Sequence, residues 1–434
     1  MAKKTNIKKE EVINLDTILF KCRDILRQAK NSGSFFEKRD MMLTLIFLRF
    51  IGEKYEDGIE KLRQILIEQG LDPDDENIRA AFFDDATFAD GTYNLPPEAR
   101  WSTIINTPAP KLNVALDNAL HSIAASSKQL KGCFVEGTFT TRNLAPNDIK
   151  KLIDEVNKIS HKKFGEEKDL IGRVYEYFLK EFAVNATKEE GEFYTPHDVV
   201  QLIATMIEPY DGTLYDPCCG SGGMFVQSAK FIQEHSGNRG TISVYGQESN
   251  ADTWKMAKMN MAIRGIDADF GPYHADTFFN DLHPTLKADF IMANPPFNLS
   301  NWGQDKLLDD VRWKYGTPPA GNANYAWIQH MIHHLAPNGK IGLVLANGAL
   351  STQSSGEGDI RKNIIDADLV EGIVALPTQL FYSVTIPVTL WFITKNKKQK
   401  GKTLFVDARK MGYMVDRKHR DFTDEDIQKL ADTF

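Results

Sequence analysis

Between residues 213 and 394 short runs rich in β-branched and aromatic residues alternate with longer helical stretches, and this rhythm limits the fold more than any other feature. Strands are expected at Thr213–Pro217, Ile242–Glu248, Ala288–Ala293, Lys340–Ala346, Val370–Leu376 and Val388–Thr394. Helical stretches separate the first five, notably Gly223–Glu234, Ala251–Arg264 and Tyr325–Leu335. Strand, helix, strand at this interval predicts an α/β fold: a parallel sheet with helices on both faces. Ligand sites are then expected outside the carboxyl ends of the strands.

The preceding chain has a different period. Leu15, Ile18, Leu19, Cys22, Ile25 and Leu26 recur at three- and four-residue spacing, and Ile59, Leu62, Ile65 and Leu66 repeat it. The expected organisation is an all-helical domain over residues 1–160, a catalytic domain over 161–410 and the start of a helical tail over 411–434. Asp169–Ala183 is expected as an amphipathic helix, and the stretch from Gly70 to Pro110, rich in Asp, Pro and aromatics, as long surface connections. The apolar run Met41–Ile51 is interrupted by Thr44 and Arg49 and is too short to span a bilayer. With no signal-like start, a cytoplasmic location is expected. Cys22, Cys133, Cys218 and Cys219 form no Cys-x-x-Cys pair and have no histidine at ligand spacing, so no metal is expected.

The first strand leads into Asp216-Pro217-Cys218-Cys219-Gly220-Ser221-Gly222-Gly223. Glycines there let the backbone turn tightly and approach a ligand closely, and Asp216 places a carboxylate at the strand tip. The second strand ends in Gly246-Gln247-Glu248, where an acid can accept both hydroxyls of a ribose. That pattern fits a dinucleotide or S-adenosylmethionine equally. Asp276, past a third strand, is placed to accept from an adenine amino group, or to cap a loop or helix.

The fourth strand delivers Asn294-Pro295-Pro296-Phe297. The two prolines fix the backbone and remove donors, so the loop presents acceptors. Exocyclic adenine nitrogen is a poor nucleophile because its lone pair is delocalised into the ring. Acceptors from the Asn294 side chain and the Pro295 carbonyl would hold its two hydrogens and aim the lone pair at a methyl sulfonium. Phe297 would stack on a base flipped out of the duplex. Phe381 or Tyr382, on an aromatic loop before the last strand, would form the second wall of that pocket or pack under the sheet.

These motifs, with Asp169-Leu170-Ile171-Gly172-Arg173-Val174-Tyr175-Glu176-Tyr177 and Gly191-Glu192-Phe193-Tyr194-Thr195-Pro196-His197, resemble the modification (methylation) subunit of type I restriction–modification enzymes over nearly the whole chain. The resemblance implies a Rossmann-like S-adenosylmethionine-dependent methyltransferase sheet behind a helical amino-terminal domain. It implies methylation of adenine N6 in DNA, with catalysis by Asn294, Pro295, Pro296 and Phe297. The resemblance implies cofactor contacts from Glu192, Phe193, Tyr194, Thr195, Pro196 and His197, from Ser221, Gly222 and Gly223, and from Glu248; the residue pattern itself adds Asp216, Gly220 and Asp276 as cofactor-binding candidates.

A specificity subunit, a restriction subunit and double-stranded DNA with a flipped adenine are the implied partners, with two copies of this chain per specificity subunit. The net charge of −7 agrees with a protein that does not grip DNA alone. Local basic stretches lie at Lys395, Lys397, Lys398, Lys400 and Lys402, and at Arg417, Lys418 and Arg420. The sequence ends at Phe434, just after a helix start at Thr423, where the family continues through further helices. From the residues alone, cytosine N4, the amide nitrogen of a protein glutamine, and a catalytically silent assembly role stay open as alternatives.

Overall fold

The computed structural model describes residues 14–29, 33–75, 77–78, 94–127, 130–134, 136–142, 144–164, 170–183, 195–236, 242–381, 386–417 and 419–434. The chain forms two compact units, Met1–Phe182 and Ala183–Phe434.

The first unit is helical: α1 (Leu15–Gln28), α2 (Phe35–Glu68), α3 (Trp101–Asn106), α4 (Leu112–Ser126), α5 (Pro146–Val156) and α6 (Leu170–Ala183). Helix α2 starts at a capping box. The Glu37 amide donates to Ser34 Oγ at 3.3 Å and the Ser34 amide to Glu37 Oε2 at 2.6 Å, satisfying two donors that a helix start leaves over. Its residues 41–52 are buried almost continuously, as a central helix requires. The stretch read as surface connections is partly core: Leu95, Ala99, Trp101 and Ile104 are buried. Trp101 crosses α2 so closely that a Cβ on Gly52 would lie 2.6 Å from the Trp101 Cβ, and its indole donates to Asn157 Oδ1 at 2.8 Å. Short helices carry little periodicity, which is why α3 escaped the sequence pattern.

The second unit contains α7 (His197–Ile207), β1 (Gly212–Asp216), α8 (Gly223–Ser236), β2 (Ile242–Gly246), α9 (Ala251–Arg264), β3 (Ala268–Asp269), β4 (Ala288–Ala293), α10 (Asn324–His334), β5 (Leu335–Ala346), α11 (Glu357–Asp366), β6 (Val370–Ala375), β7 (Val388–Thr394) and β8 (Leu404–Asp407). A hairpin of β9 (Tyr413–Met414) and β10 (Arg420–Asp421) precedes α12 (Asp424–Thr433). The strand order is β3-β2-β1-β4-β5-β7-β6-β8, parallel except for β7, which runs antiparallel to both β5 and β6. The α/β architecture thus matches the sequence reading, while strand spacing alone does not foretell the antiparallel course of Val388–Thr394.

Alternate strand residues feed two cores. Leu214 and Val344 join one with residues of α7, α8, α9 and α12, while Tyr215, Leu343 and Leu345 join the other with residues of α10 and α11. Among the described residues no helix is long and apolar enough to cross a membrane. The order reverses between β1, whose outer neighbour is β2, and β4, whose outer neighbour is β5. At such a switch point the connections leave in opposite directions and open a crevice beyond the carboxyl ends of the strands.

Candidate active site at the carboxyl ends of β1, β2 and β4

Asp216 ends β1 and is 1% exposed, with Oδ1 accepting the Cys218 amide at 3.0 Å. Burial pushes its carboxyl up to about 7, against the opposing effect of that hydrogen bond. The loop then turns through Gly220 (φ 55°) and Gly222 (φ 83°), backbone angles that suit glycine. A Cβ on Gly222 would lie 2.9 Å from Met261 Cε, whereas one on Gly220 or Gly223 would meet nothing within 4 Å. Tight packing therefore lies under Gly222 and open space over Gly220 and Gly223. The Ser221 carbonyl accepts from Asn260 Nδ2 at 2.8 Å, and Gly223 begins α8. Cys218 and Cys219 are free thiols whose ionisation burial makes difficult.

Glu248 lies two residues beyond β2 and clamps the same loop, accepting from the Gly220 amide at 3.1 Å and the Asn250 amide at 2.7 Å. The Ser249 hydroxyl donates to the same carboxylate at 3.3 Å. Asp276 is exposed, and its Oδ1 takes the amides of Phe278 (2.8 Å) and Phe279 (3.3 Å), the capping geometry foreseen as one of its two readings. Its neighbour Ala275 donates to the Glu248 carbonyl at 2.9 Å, which brings the two acids to one edge of the crevice.

Two residues outside the sequence-based selection fasten this edge. Fully buried Gln247 donates to the carbonyls of Ala275 (3.2 Å) and Asn280 (2.8 Å) and accepts from the Leu282 amide at 3.0 Å. Buried Arg312 donates to the carbonyls of Thr277 (3.1 Å) and Phe278 (2.5 Å) while pairing with Asp310 at 2.6 Å. Only the distance of Arg312 from the cofactor motifs in sequence hid it.

Beyond β4, Asn294 donates from Nδ2 to Thr195 Oγ1 at 2.9 Å, and its Oδ1 is buried with no hydrogen-bond partner among the described residues. Pro295 and Pro296 follow without amide hydrogens, so the loop offers that oxygen nothing of its own. Phe297 is half-buried, its ring centroid 6.4 Å from that of buried Phe381 at an interplanar angle of 68°. Asn298 (φ 55°) exchanges two bonds with buried Asn324: its amide donates to Asn324 Oδ1 at 3.1 Å, and Asn324 Nδ2 to its Oδ1 at 2.9 Å. This pair, absent from the sequence reading, fixes the chain where it leaves Phe297. Pro196 is buried as the N-cap of α7, and half-buried His197 opens that helix. Glu192, Phe193, Tyr194 and Tyr382 lie outside the described residues.

Asp281, His330 and His334 bring ligand-type atoms within 4.8 Å of one another. Every ring nitrogen there is already engaged. His330 Nδ1 faces Arg312 Nη1 and Nε2 faces Tyr215 Oη, both at 3.1 Å; His334 Nδ1 faces the Leu286 carbonyl at 3.0 Å and Nε2 faces Asp281 Oδ2 at 2.8 Å. A guanidinium only donates, so His330 Nδ1 is an acceptor and the ring is neutral, in line with burial holding its basicity well below the usual range. The cluster reads as a polar spine beside β1. Of the basic residues, Lys397 is buried against Asp368 at 2.6 Å, Arg420 donates to the carbonyls of Met411 and Gly412, and Lys418 lies outside the described residues.

Residues 166–434 match the family profile described as N-6 DNA Methylase, and residues 15–156 match the HsdM N-terminal domain. The chain is 36% identical over 432 residues to the type I restriction enzyme MjaIX methylase subunit of Methanocaldococcus jannaschii, covering 96% of this chain and 76% of that one. It is 59% identical over 266 residues to the HindI methylase subunit of Haemophilus influenzae, covering 61% of this chain and 60% of that subunit. A type I restriction–modification methyltransferase subunit from Streptococcus thermophilus shares the fold with a TM-score of 0.75 at 23% identity, over 96% of this chain and 91% of that one.

Proposed function

The chain belongs to the N-6 DNA methylase family, alongside the methylase subunits of type I restriction enzymes, and on that premise we propose that it methylates adenine N6 in DNA with S-adenosylmethionine as methyl donor. The observation that carries the reading is the buried, unpartnered Oδ1 of Asn294 at the tip of β4. A buried acceptor without a partner costs roughly 1–3 kcal/mol, so a position that keeps one is suited to receiving a donor from outside.

The residues present fit the cofactor. Open space over Gly220 and Gly223 leaves room for close backbone approach, and Glu248, an acid just beyond β2, is of the type that accepts ribose hydroxyls. Asp216 ends β1, Asp276 lies beside Glu248, Ser221 and Gly222 belong to the loop after β1, and Pro196 and His197 begin α7, all of them assigned here to the cofactor. When bound, S-adenosylmethionine supplies an electrophilic methyl group on a sulfonium.

Asn294 Oδ1 and the Pro295 carbonyl each accept one hydrogen of the adenine amine, which draws its nitrogen toward a tetrahedral geometry and aims the lone pair. The proton leaves after the methyl has arrived, so no strong base is needed. Phe297 stacks on the extruded base, and Phe381, buried and inclined to it, braces the Phe297 ring. Sequence choice is assigned to a partner specificity subunit, in keeping with the net charge of −7 and the likeness to methylase subunits of type I restriction enzymes. The assembly proposed is two copies of this chain with one specificity subunit, joined for cleavage by a restriction subunit and acting on DNA in the cytoplasm.

The test is transfer of labelled methyl from S-adenosylmethionine to unmethylated DNA, with and without the co-expressed specificity subunit, followed by nucleoside analysis. Label in N6-methyladenine that depends on the partner and disappears in Asn294→Ala, with cofactor binding retained, is the expected result. Label in N4-methylcytosine or in protein glutamine, or full turnover by Asn294→Ala, would refute the reading.

A further inference from the structure

We infer that Thr195 is a positioning residue that acts through Asn294, holding the amide so that its oxygen can take the amine hydrogen. This rests on the reading of Asn294 given above.

A primary amide has two ends with opposite needs. If Oδ1 accepts from the target base, Nδ2 points the other way and must find an acceptor of its own. The structure supplies one: Thr195 Oγ1, 2.9 Å away and 99 residues earlier in the chain. Neighbours along the chain cannot replace it as an orienting group, because Pro295 and Pro296 bring no amide hydrogens that could hold the amide from its oxygen end.

Thr195 is itself held firmly. It immediately precedes Pro196, the buried N-cap of α7, and α7 is seated on β5 so closely that a Cβ on Gly342 would lie 2.3 Å from Ile203 Cγ2. In the first turn Asp198 Oδ2 accepts the Phe422 amide at 2.7 Å. A hydroxyl next to a helix anchored at both the sheet and the tail can fix a side chain followed by two prolines that cannot donate to it. Rigid support of this kind matters because an amine lone pair must meet the methyl group within a narrow range of angle and distance.

The inference gives Thr195 a different duty from the cofactor contact implied by family resemblance, and the two separate kinetically. The experiment uses the chain co-purified with its specificity subunit, single-turnover methyl transfer at saturating S-adenosylmethionine, and calorimetric titration of the cofactor. Thr195→Val keeps the shape but removes the acceptor, and it is expected to slow transfer at least tenfold while the cofactor dissociation constant stays within about twofold. Thr195→Ser restores the acceptor without the methyl group and is expected to recover most of the wild-type rate.

A Thr195→Val enzyme that transfers at the wild-type rate once saturated, with only its cofactor affinity weakened, overturns the proposal. Equal impairment of the Val and Ser variants does so too, since that pattern reports packing. Absence of adenine methylation in the wild-type complex would instead refute the functional reading beneath it.

Discussion

Replacing Asp216 by Asn tests the electrostatics of the crevice directly. The carboxyl is 1% exposed, and burial raises its pKa from 3.8 to about 7. A shift of roughly three units at 1.36 kcal/mol each corresponds to about 4 kcal/mol between the protonated and ionised forms. Because the folded value is the higher one, the folded protein binds this proton more tightly than the unfolded chain. The corresponding stabilisation is complete below pH 3.8, shrinks as pH rises and is gone above 7. Between pH 5 and pH 8 the wild type should lose roughly 2–3 kcal/mol that Asp216→Asn does not, the amide oxygen still accepting from Cys218 N–H. Urea unfolding of the full chain at several pH values, without cofactor and following the transition of residues 183–434, measures the difference. Parallel pH profiles, or a wild type that gains on the variant as pH rises, would refute the argument.

Gly222→Val combines a φ of 83° with a Cβ 2.9 Å from Met261 Cε, so it should disturb the loop and weaken S-adenosylmethionine binding at least tenfold by calorimetry. Glu248→Gln keeps an acceptor for one loop amide but loses the charge, and a fall in cofactor affinity of about 1–3 kcal/mol is expected in the same titration. Phe297→Ala should weaken capture of the extruded base by about 1–3 kcal/mol in a DNA-binding assay with the specificity subunit, and Phe297→Tyr should restore it.

Strand positions were legible where local signals agreed with tertiary need. Ala288–Ala293 and Val388–Thr394 coincide with the observed strands, the one closed by Asn294-Pro295-Pro296 and the other opened after Pro387. Ala251–Arg264 also coincides, between the Asn250 cap and Gly265 in the left-handed conformation. At β5 the sequence reading places the strand at Lys340–Ala346. The strand starts at Leu335, pairs it with Ala288 across an irregular register, and brings Gly339 within 2.8 Å of the Ala288 carbonyl, measured from a built Cβ.

What stayed hidden were pairings between distant residues. The insertion of β7 between β5 and β6, the Asn298–Asn324 exchange and the bond from Asn294 to Thr195 have no local signature. Motif spacing identified the strand tips and the tetrapeptide, but the partner of each side chain is set by how the sheet closes.

The seating of α7 has a consequence for how the protein is made. Helix α7 packs on β5, about 140 residues later, and on α12, more than 220 residues later, with Phe422 N–H bonded to Asp198. Synthesis proceeds from the amino end, so a ribosome that has just completed Asn294 holds both members of the Thr195–Asn294 pair but lacks β5 and α12. Sheets built from such distant partners form slowly and leave apolar surface bare in the meantime. The catalytic pair should therefore become rigid among the last parts of the unit. Chains stalled before α12 should expose an uncovered face of α7 to chaperones and proteases rather than act on DNA.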